Sequence, residues 1–449
     1  MKPRSLILVA LCAAAAFVPN PARGSDRATD APPAVRLENG WQYRWGDSPV
    51  DSTGAFTWLH ETTGDGWQDI DAFVTPPDAG DQTFVWYKIT LPETRWQNPS
   101  LSFPTLAMAV EVYVGGTRIY KYGDMEWSSD TKYAAVVTHL FPIEYDYPGK
   151  TMMVRIYSRD ASYIGAEHAH DWVWIGSASD LVGHIFRHSL DSTILGCLFI
   201  FTGMFSLMLG RFRERAYFPF SFGAFALLIG LFYVFSDPLA LFLIKSPVAK
   251  LYTRFISFLL FPVGLYAFLG HIVGARWVTR VLWLAHLAFA VAVLSLDLLG
   301  VVALPLVGQV FSFFFAGTIV VALFTALTSA IGGNRDAKIF IWGFTILGLT
   351  GLHDILMGMG NIAYWHSLSH WGTLVFLVSL AYIMERRFTE NHRRLKVYSR
   401  ELEDKSEQLE EHSRTLEQKV TERTRDLDEK NRAIEETLRE LKQAQQQLI

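Results

Sequence analysis

Between residues 188 and 384, only 16 of 197 positions are Asp, Glu, Lys or Arg. Within that stretch, apolar windows recur seven times, near 190–210, 217–236, 252–273, 281–299, 306–330, 339–359 and 368–384. A helix needs ~20 apolar residues to cross a bilayer core of ~30 Å. In lipid, every backbone polar group has to be satisfied within the spanning structure, and a helix does this alone. The pattern therefore predicts a seven-helix transmembrane bundle over residues 188–385, joined by short connections. It excludes a soluble cytosolic enzyme.

The flanks differ from this segment and from each other. Residues 386–449 carry 30 charged residues among 64, of which 15 are basic and 15 acidic. Neither this tail nor the whole chain, at net charge −4, is basic, so a nucleic-acid partner is not expected. At the other end, Lys2 and Arg4 precede an apolar run over residues 6–18, and Ala22-Arg-Gly24 places small residues at −3 and −1. This predicts a signal peptide over residues 1–24, with an uncleaved anchor as the alternative. Either way, the segment after residue 24 lies outside the cytoplasm. Cys12 and Cys197 are the two cysteines, which leaves no disulfide scaffold and no zinc site of the cysteine type.

Charge gives the orientation independently. With an exported N-terminal domain, the inner loops and tail carry Arg211, Arg213, Arg215, Arg276, Arg280, Arg335, Lys338, Arg386 and Arg387. The outer loops carry Lys245 and Lys250, with Arg254 just inside the third span. This bias predicts an N-terminal domain outside the cytoplasm and a cytoplasmic C-terminus. Few ionisable groups fall at membrane depth: His286, Asp297, His353 and Asp354, with Asp191 near the outer end of the first span. His353 and Asp354, with His366 and His370, can form a proton or metal site; the competing reading is helix–helix hydrogen bonding.

Residues 25–187 read as a β domain. Alternation appears over residues 83–91, 109–114, 117–122 and 152–157, and Gly115-Gly116 separates two β-prone runs as a hairpin turn does. Short strands at this spacing suggest a sandwich or jelly roll. Specific wording adds to this: Trp41-Gln-Tyr-Arg-Trp-Gly-Asp47, Val85-Trp-Tyr-Lys-Ile-Thr-Leu-Pro92, Glu111-Val-Tyr-Val-Gly-Gly-Thr-Arg-Ile-Tyr120 and Met153-Val-Arg-Ile-Tyr157. Later come Gly351-Leu-His-Asp-Ile-Leu356 and Ala381-Tyr-Ile-Met-Glu-Arg-Arg-Phe388. The chain resembles the bacterial seven-transmembrane receptors with diverse intracellular signalling modules, whose extracellular domain is a galactose-binding-like jelly roll. That resemblance implies a sensor of a small molecule or carbohydrate in a bacterial inner membrane, with its N-terminal domain in the periplasm; no cofactor is expected. The candidate ligand contacts are Trp86, Tyr87, Trp172 and Trp174, whose rings can stack on a sugar, together with Arg155; core or rim packing is the competing role for the aromatics. In Glu167-His-Ala-His-Asp171, His168 and His170 are weak candidate metal ligands, against a solvated loop.

The tail has heptad spacing. Leu395, Leu402, Leu409 and Leu416 fall at d positions, then Val420, Leu427, Ile434, Leu441 and Leu448 at a positions of the same register. The complementary positions are polar or small: Ser399, Ser406 and Ser413, then Arg423, Lys430, Thr437 and Ala444. A weak parallel homodimeric coiled coil is expected, with a charged single helix as the alternative. At ~1.5 Å per residue such a rod reaches about 80 Å. Leu416-Glu-Gln-Lys-Val-Thr-Glu-Arg-Thr-Arg-Asp-Leu427 resembles the linker before a sensor histidine kinase core, and similar linkers precede cyclases. The residues up to Ile449 contain no kinase or cyclase motif, so no enzymatic activity is expected of this chain, and the effector lies beyond it or in a partner. The other functional classes are a membrane transporter or enzyme using intramembrane His and Asp, and a tethering scaffold.

Overall fold

The computed structural model describes residues 32–61, 66–70, 73, 76–105, 109–125, 137–158, 173–211, 217–240, 244, 246–302, 304–358 and 367–447. The expected signal peptide, His168, His170, Trp172, His366 and Leu448 lie outside the described residues. The chain divides into two compact units, Met1–Ile383 and Met384–Ile449.

Among the described residues, the first unit holds two antiparallel sheets. One joins β1 (Val35–Arg36), β10 (Trp174–Ser177), β5 (Pro99–Thr105) and β8 (Val137–Pro142) in that spatial order. The other runs β3 (Gln68–Ile70), β2 (Trp41–Trp45), β4 (Phe84–Thr90), β9 (Thr151–Tyr157), β6 (Ala109–Val114) and β7 (Thr117–Tyr122). Alternation explains the packing. Val85, Tyr87 and Ile89 on β4, with Val154 and Ile156 on β9, join a buried core with Leu101, Phe103 and Ile175 of the other sheet. Burying each such side chain contributes roughly 1.5–3 kcal/mol. The β6–β7 hairpin turns at Gly115 and Gly116, with φ of 56° and 83°. Two successive positive φ angles are what a tight hairpin demands and what glycine adopts without strain.

Among the described residues seven helices follow: α1 (Ala178–Arg211), α2 (Tyr217–Ser236), α3 (Pro247–Val273), α4 (Arg276–Leu298), α5 (Leu304–Ile331), α6 (Arg335–Gly358) and α7 (Ser369–Gln447). Each apolar window of the sequence falls on one of them. Among the described residues, α1 to α5 are long and apolar enough to cross a membrane by length and composition. Local chemistry sets the ends. Ser246 caps α3 by accepting from the Ala249 N–H at 3.2 Å, Pro247 follows it, and Gly274 at φ 74° ends the helix. Asn334 caps α6, its Oδ1 accepting from the amides of Asp336 and Ala337 at 3.0 and 3.3 Å.

α1 starts 12 residues before the apolar window at 190–210, directly after β10. The Ser177 hydroxyl accepts from the Asp180 amide at 3.2 Å, and the Ala178 amide donates to the Asn98 carbonyl at 3.1 Å. This cap nucleates a helix whose first three turns mix Asp180, His184, Arg187 and His188 with apolar residues, so an apolar-window reading starts it too late. Further on, α1 and α2 approach through facing glycines. A Cβ at Gly203 would lie 2.4 Å from the Leu227 nitrogen, and one at Gly230 would lie 2.7 Å from the Gly196 carbonyl oxygen. Only residues without a side chain permit this approach, the small-residue packing that membrane helices use.

In the second unit the backbone is helical to Gln447. Leu395, Leu402, Leu409, Leu416, Val420, Leu427, Ile434 and Leu441 are each more than half exposed. Charge pairs one turn apart, such as Arg394 with Glu390 at 2.8 Å, support the helix along its solvated sides.

Candidate functional site

The outer face of the six-stranded sheet carries an aromatic and ionic layer. Trp86 points outward from β4 and is fully buried under Phe56, Trp58 and Tyr113. Its neighbour Tyr87 points the other way into the inter-sheet core and is also fully buried. Neither ring offers a face to solvent; both occupy the packing role set beside the sugar-stacking one. Arg155 lies in the same outer layer, with all three of its guanidinium nitrogens engaged. Nε and Nη2 donate to the two oxygens of Asp47 at 2.9 and 2.5 Å, and Nη1 donates to Glu111 at 3.0 Å. Glu111 also accepts from the Tyr113 hydroxyl at 2.8 Å and from Arg118 at 2.9 Å. Burial works to raise the Glu111 pKa, but the Tyr113 and Arg155 hydrogen bonds outweigh it and hold the carboxyl below its usual range. Burial and the adjacent carboxylate push the Tyr113 phenol up.

Beside this layer, at one end of the sheet, a cleft of about 450 Å³ opens. Gln42, His60, Glu61, Lys88 and Lys150 converge on it, and the Gly115-Gly116 turn forms one wall. The volume lies within the ~300–1,000 Å³ range of small-molecule sites. Sequence reading missed these residues, although the Gly115-Gly116 turn was legible. Their spacing from residue 42 to residue 150 shows no local pattern, and only strand pairing assembles them.

Trp174 sits at the junction between sheet and bundle. Its ring lies 4.3 Å from that of His184 on α1, and His184 lies 4.3 Å from His188 one turn on. Trp174 therefore packs on the first helix.

The bundle's acidic residues form helix caps and cross-links. Asp354 on α6 accepts from the backbone amides of Leu368 and Ser369, both at 2.8 Å, and from the Ser367 hydroxyl at 2.6 Å. It thus satisfies the amides at the start of α7, which have no intrahelical partner. His353 Nδ1 lies 2.9 Å from the same carboxylate. Asp297 does the same for α5, accepting from the Leu304 amide at 3.3 Å and from the Tyr252 hydroxyl at 2.8 Å. In the first turn of α7, His370 Nε2 lies 2.9 Å from Asp191 on α1, and Thr373 shares a hydrogen bond of 2.7 Å with Tyr233 on α2. On α4, His286 is fully buried, with Nε2 2.9 Å from the Thr318 hydroxyl. Among the described residues, no group of three or more His, Cys, Asp or Glu is arranged to hold a metal ion.

Residues 187–387 match the family model described as 7TM diverse intracellular signalling. This segment belongs to that family. The family's seven-transmembrane signalling region coincides with the helices α1 to α6 and the start of α7, and it marks a membrane-embedded signalling receptor. No curated protein matches the chain. Among solved structures, the chain is similar to Ruminococcus gnavus β-glucuronidase at 13% identity, with a TM-score of 0.23, over 32% of this chain and 27% of that one. It is also similar to the β-glucuronidases of Parabacteroides merdae and Faecalibacterium prausnitzii, each at 18% identity and a TM-score of 0.22. These cover 32% and 30% of this chain and 22% of each enzyme. The chain thus spans about a quarter of the length of these enzymes, and the likeness is too slight to bear on its chemistry.

Proposed function

We propose that the chain is a seven-span receptor of the bacterial inner membrane that senses an extracytoplasmic small molecule or carbohydrate and biases a cytoplasmic effector such as a histidine kinase. The observation that carries this reading is the junction at Ser177 and Ala178, where an interior strand of the four-stranded sheet becomes the first membrane helix with no linker. A displacement of β10 therefore acts on α1 directly. Asp191, further along α1, reaches His370 at the start of α7, the helix whose sequence continues into the heptads. Ligand can drive this path only by favouring one arrangement of the bundle over another. On this reading two chains associate in parallel through the heptad leucines, and the seven spans cross the bilayer with the β domain in the periplasm.

The transporter or enzyme reading has less support. Asp354 caps α7 through both oxygens as well as contacting His353, which fits a structural role for the pair. The test is a kinase core fused behind Ile449 and reconstituted with the full chain. The receptor reading expects kinase output to change on deletion of residues 34–185; output indifferent to that deletion overturns it. A solute flux abolished by His353→Ala would support the transporter instead.

A further inference from the structure

We propose that the cleft at the end of the six-stranded sheet receives the anionic group, carboxylate or phosphate, of a small ligand, with Lys88 as its charge partner and His60 and Lys150 at the rim. The proposal deepens the sensor reading, but its chemistry stands separately from it. The charges around the cleft are unequal in what they have left to offer. Glu61 is held by Arg44 at 3.1 Å, and Asp69 accepts from Gln42 at 2.8 Å. Lys150 is paired with Asp146. Lys88 differs from these. It rises from the middle of β4 and is part-buried, and its ammonium lies 4.5 Å from the centre of the Trp67 ring. Among the described residues, no carboxylate lies within ion-pair distance of it. Burial lowers its pKa, against the field of Glu61. An ammonium partly stripped of water and given only a ring face is under-satisfied, and a bound anion restores what burial removed.

The wall opposite is shaped for close approach. A Cβ at Gly115 would come 3.1 Å from Lys150 Cδ, and one at Gly116 would come 3.9 Å from His60 Cε1. The missing Cβ atoms let the Lys150 side chain lie close over the turn and His60 beside it, so both polar groups reach the mouth of the cleft. The cleft also lies at the end of the domain where α1 begins. Ser177 pairs with Pro99, and the Ile143 amide donates to the Pro99 carbonyl. From there residues 91–98, between β4 and β5, and 143–150, between β8 and β9, run together to the cleft, with the Leu91 amide donating to the Lys150 carbonyl at 2.9 Å. An anionic lipid headgroup and a free anionic solute present the same chemistry to this cleft, and the test separates them.

The test uses the full chain in nanodiscs of phosphatidylcholine, with inorganic phosphate, succinate and gluconate as probes and glucose as the neutral control. The rate of Lys88 acetylation is read by mass spectrometry, with exposed Lys121 as the internal reference. At least one anion is expected to slow Lys88 several-fold while leaving Lys121 unchanged, and to raise the Tm of the wild type but not of Lys88→Met or Lys88→Gln. Protection in phosphatidylglycerol discs without added anion supports the proposal with lipid as the source; protection only with a soluble anion supports it with a solute. The proposal is overturned if no anion and no anionic lipid protects Lys88, if glucose protects equally, or if the Tm shift survives both substitutions. The kinase fusion reads signalling separately, so a chain that still signals without anion protection removes this proposal and leaves the receptor reading in place.

Discussion

His370 on the last helix and Asp191 on the first are joined 2.9 Å apart, with the imidazole almost fully buried. The helix that leaves the β domain and the helix that leads to the heptads are thus tied side chain to side chain, without α2 to α6 as intermediaries. Interhelical hydrogen bonds in membranes contribute about 0.6–2 kcal/mol. Asp191→Asn and His370→Gln should each destabilise the bundle by about that amount. In a double-mutant cycle they should show a coupling of about 1 kcal/mol, measured by reversible unfolding in bilayers. Additive effects would mean that the two groups do not interact.

The facing glycines of α1 and α2 give a sharper expectation. At Gly203 an added Cβ would meet backbone on the neighbouring helix at 2.4 to 2.8 Å, and backbone cannot swing aside as a flexible side chain can. Gly203→Leu should force the pair apart and cost about 1–3 kcal/mol or more, as overpacking does. Gly348→Ala on α6 meets nothing within 4 Å and should be neutral or slightly stabilising by roughly 0.5–1 kcal/mol. Thermal unfolding of the two variants side by side checks the contrast.

What was legible in the sequence was what repeats locally. Alternation over residues 83–91 reads directly as β4, Gly115-Gly116 as the turn between β6 and β7, and the apolar windows as helices. The start of α1 was not legible, because Asp180, His184, Arg187 and His188 interrupt its first apolar residues and its end is held by Ser177 and Asn98. The partners of Arg155 were also hidden. Asp47 lies 108 residues away and Glu111 lies 44 away, so only the pairing of β4, β9 and β6 brings them together. Asp354 was visible as a charge at membrane depth, but its role as a cap depends on where the chain re-enters a helix at Ser369.

That ionic layer can be tested by asymmetric removal. Arg155→Leu leaves the buried Glu111 and the exposed Asp47 without their main cation, and breaking a buried pair on one side typically costs about 3–5 kcal/mol. The double variant Arg155→Leu/Glu111→Leu should recover a good part of the loss, because the buried carboxylate is gone and the Asp47 that remains is open to solvent. Denaturant unfolding followed by tryptophan fluorescence reports on it, since Trp86 donates to the same Asp47 at 3.1 Å.

His139 sets a pH dependence for the β domain. It is 1% exposed against Phe103, Tyr120 and Tyr122, with the Tyr120 hydroxyl 2.9 Å from Nδ1. Burial lowers its pKa from 6.5 to about 4. A folded-state pKa below the unfolded one means that the unfolded chain takes up the proton first. This contribution is therefore intact above pH 6.5, declines as the pH falls towards about 4, and changes no further below that. The full loss is roughly 2–4 kcal/mol. His139→Gln should flatten this part of the stability profile; an unchanged slope would assign the pH dependence to other groups.

The exposed heptad leucines make the last prediction. They run along the second unit with Ser399, Ser406 and Ser413 at the complementary positions of the first half, so two such helices would meet over a seam that is half apolar. A seam of this kind has little energy to lose on rotation or slippage, which suits a relay between states that differ by a few kcal/mol. Replacing the three serines with Ile supplies the missing a-position knobs and should tighten a parallel dimer. Sedimentation of the full chain in detergent should then show dimers at lower protein concentration, and the kinase fusion should be locked in one output state. If association strengthens while output still follows ligand, the relay does not work by loosening this seam. If the Ile variant fails to associate at all, the helix is a charged spacer and the leucines face another partner.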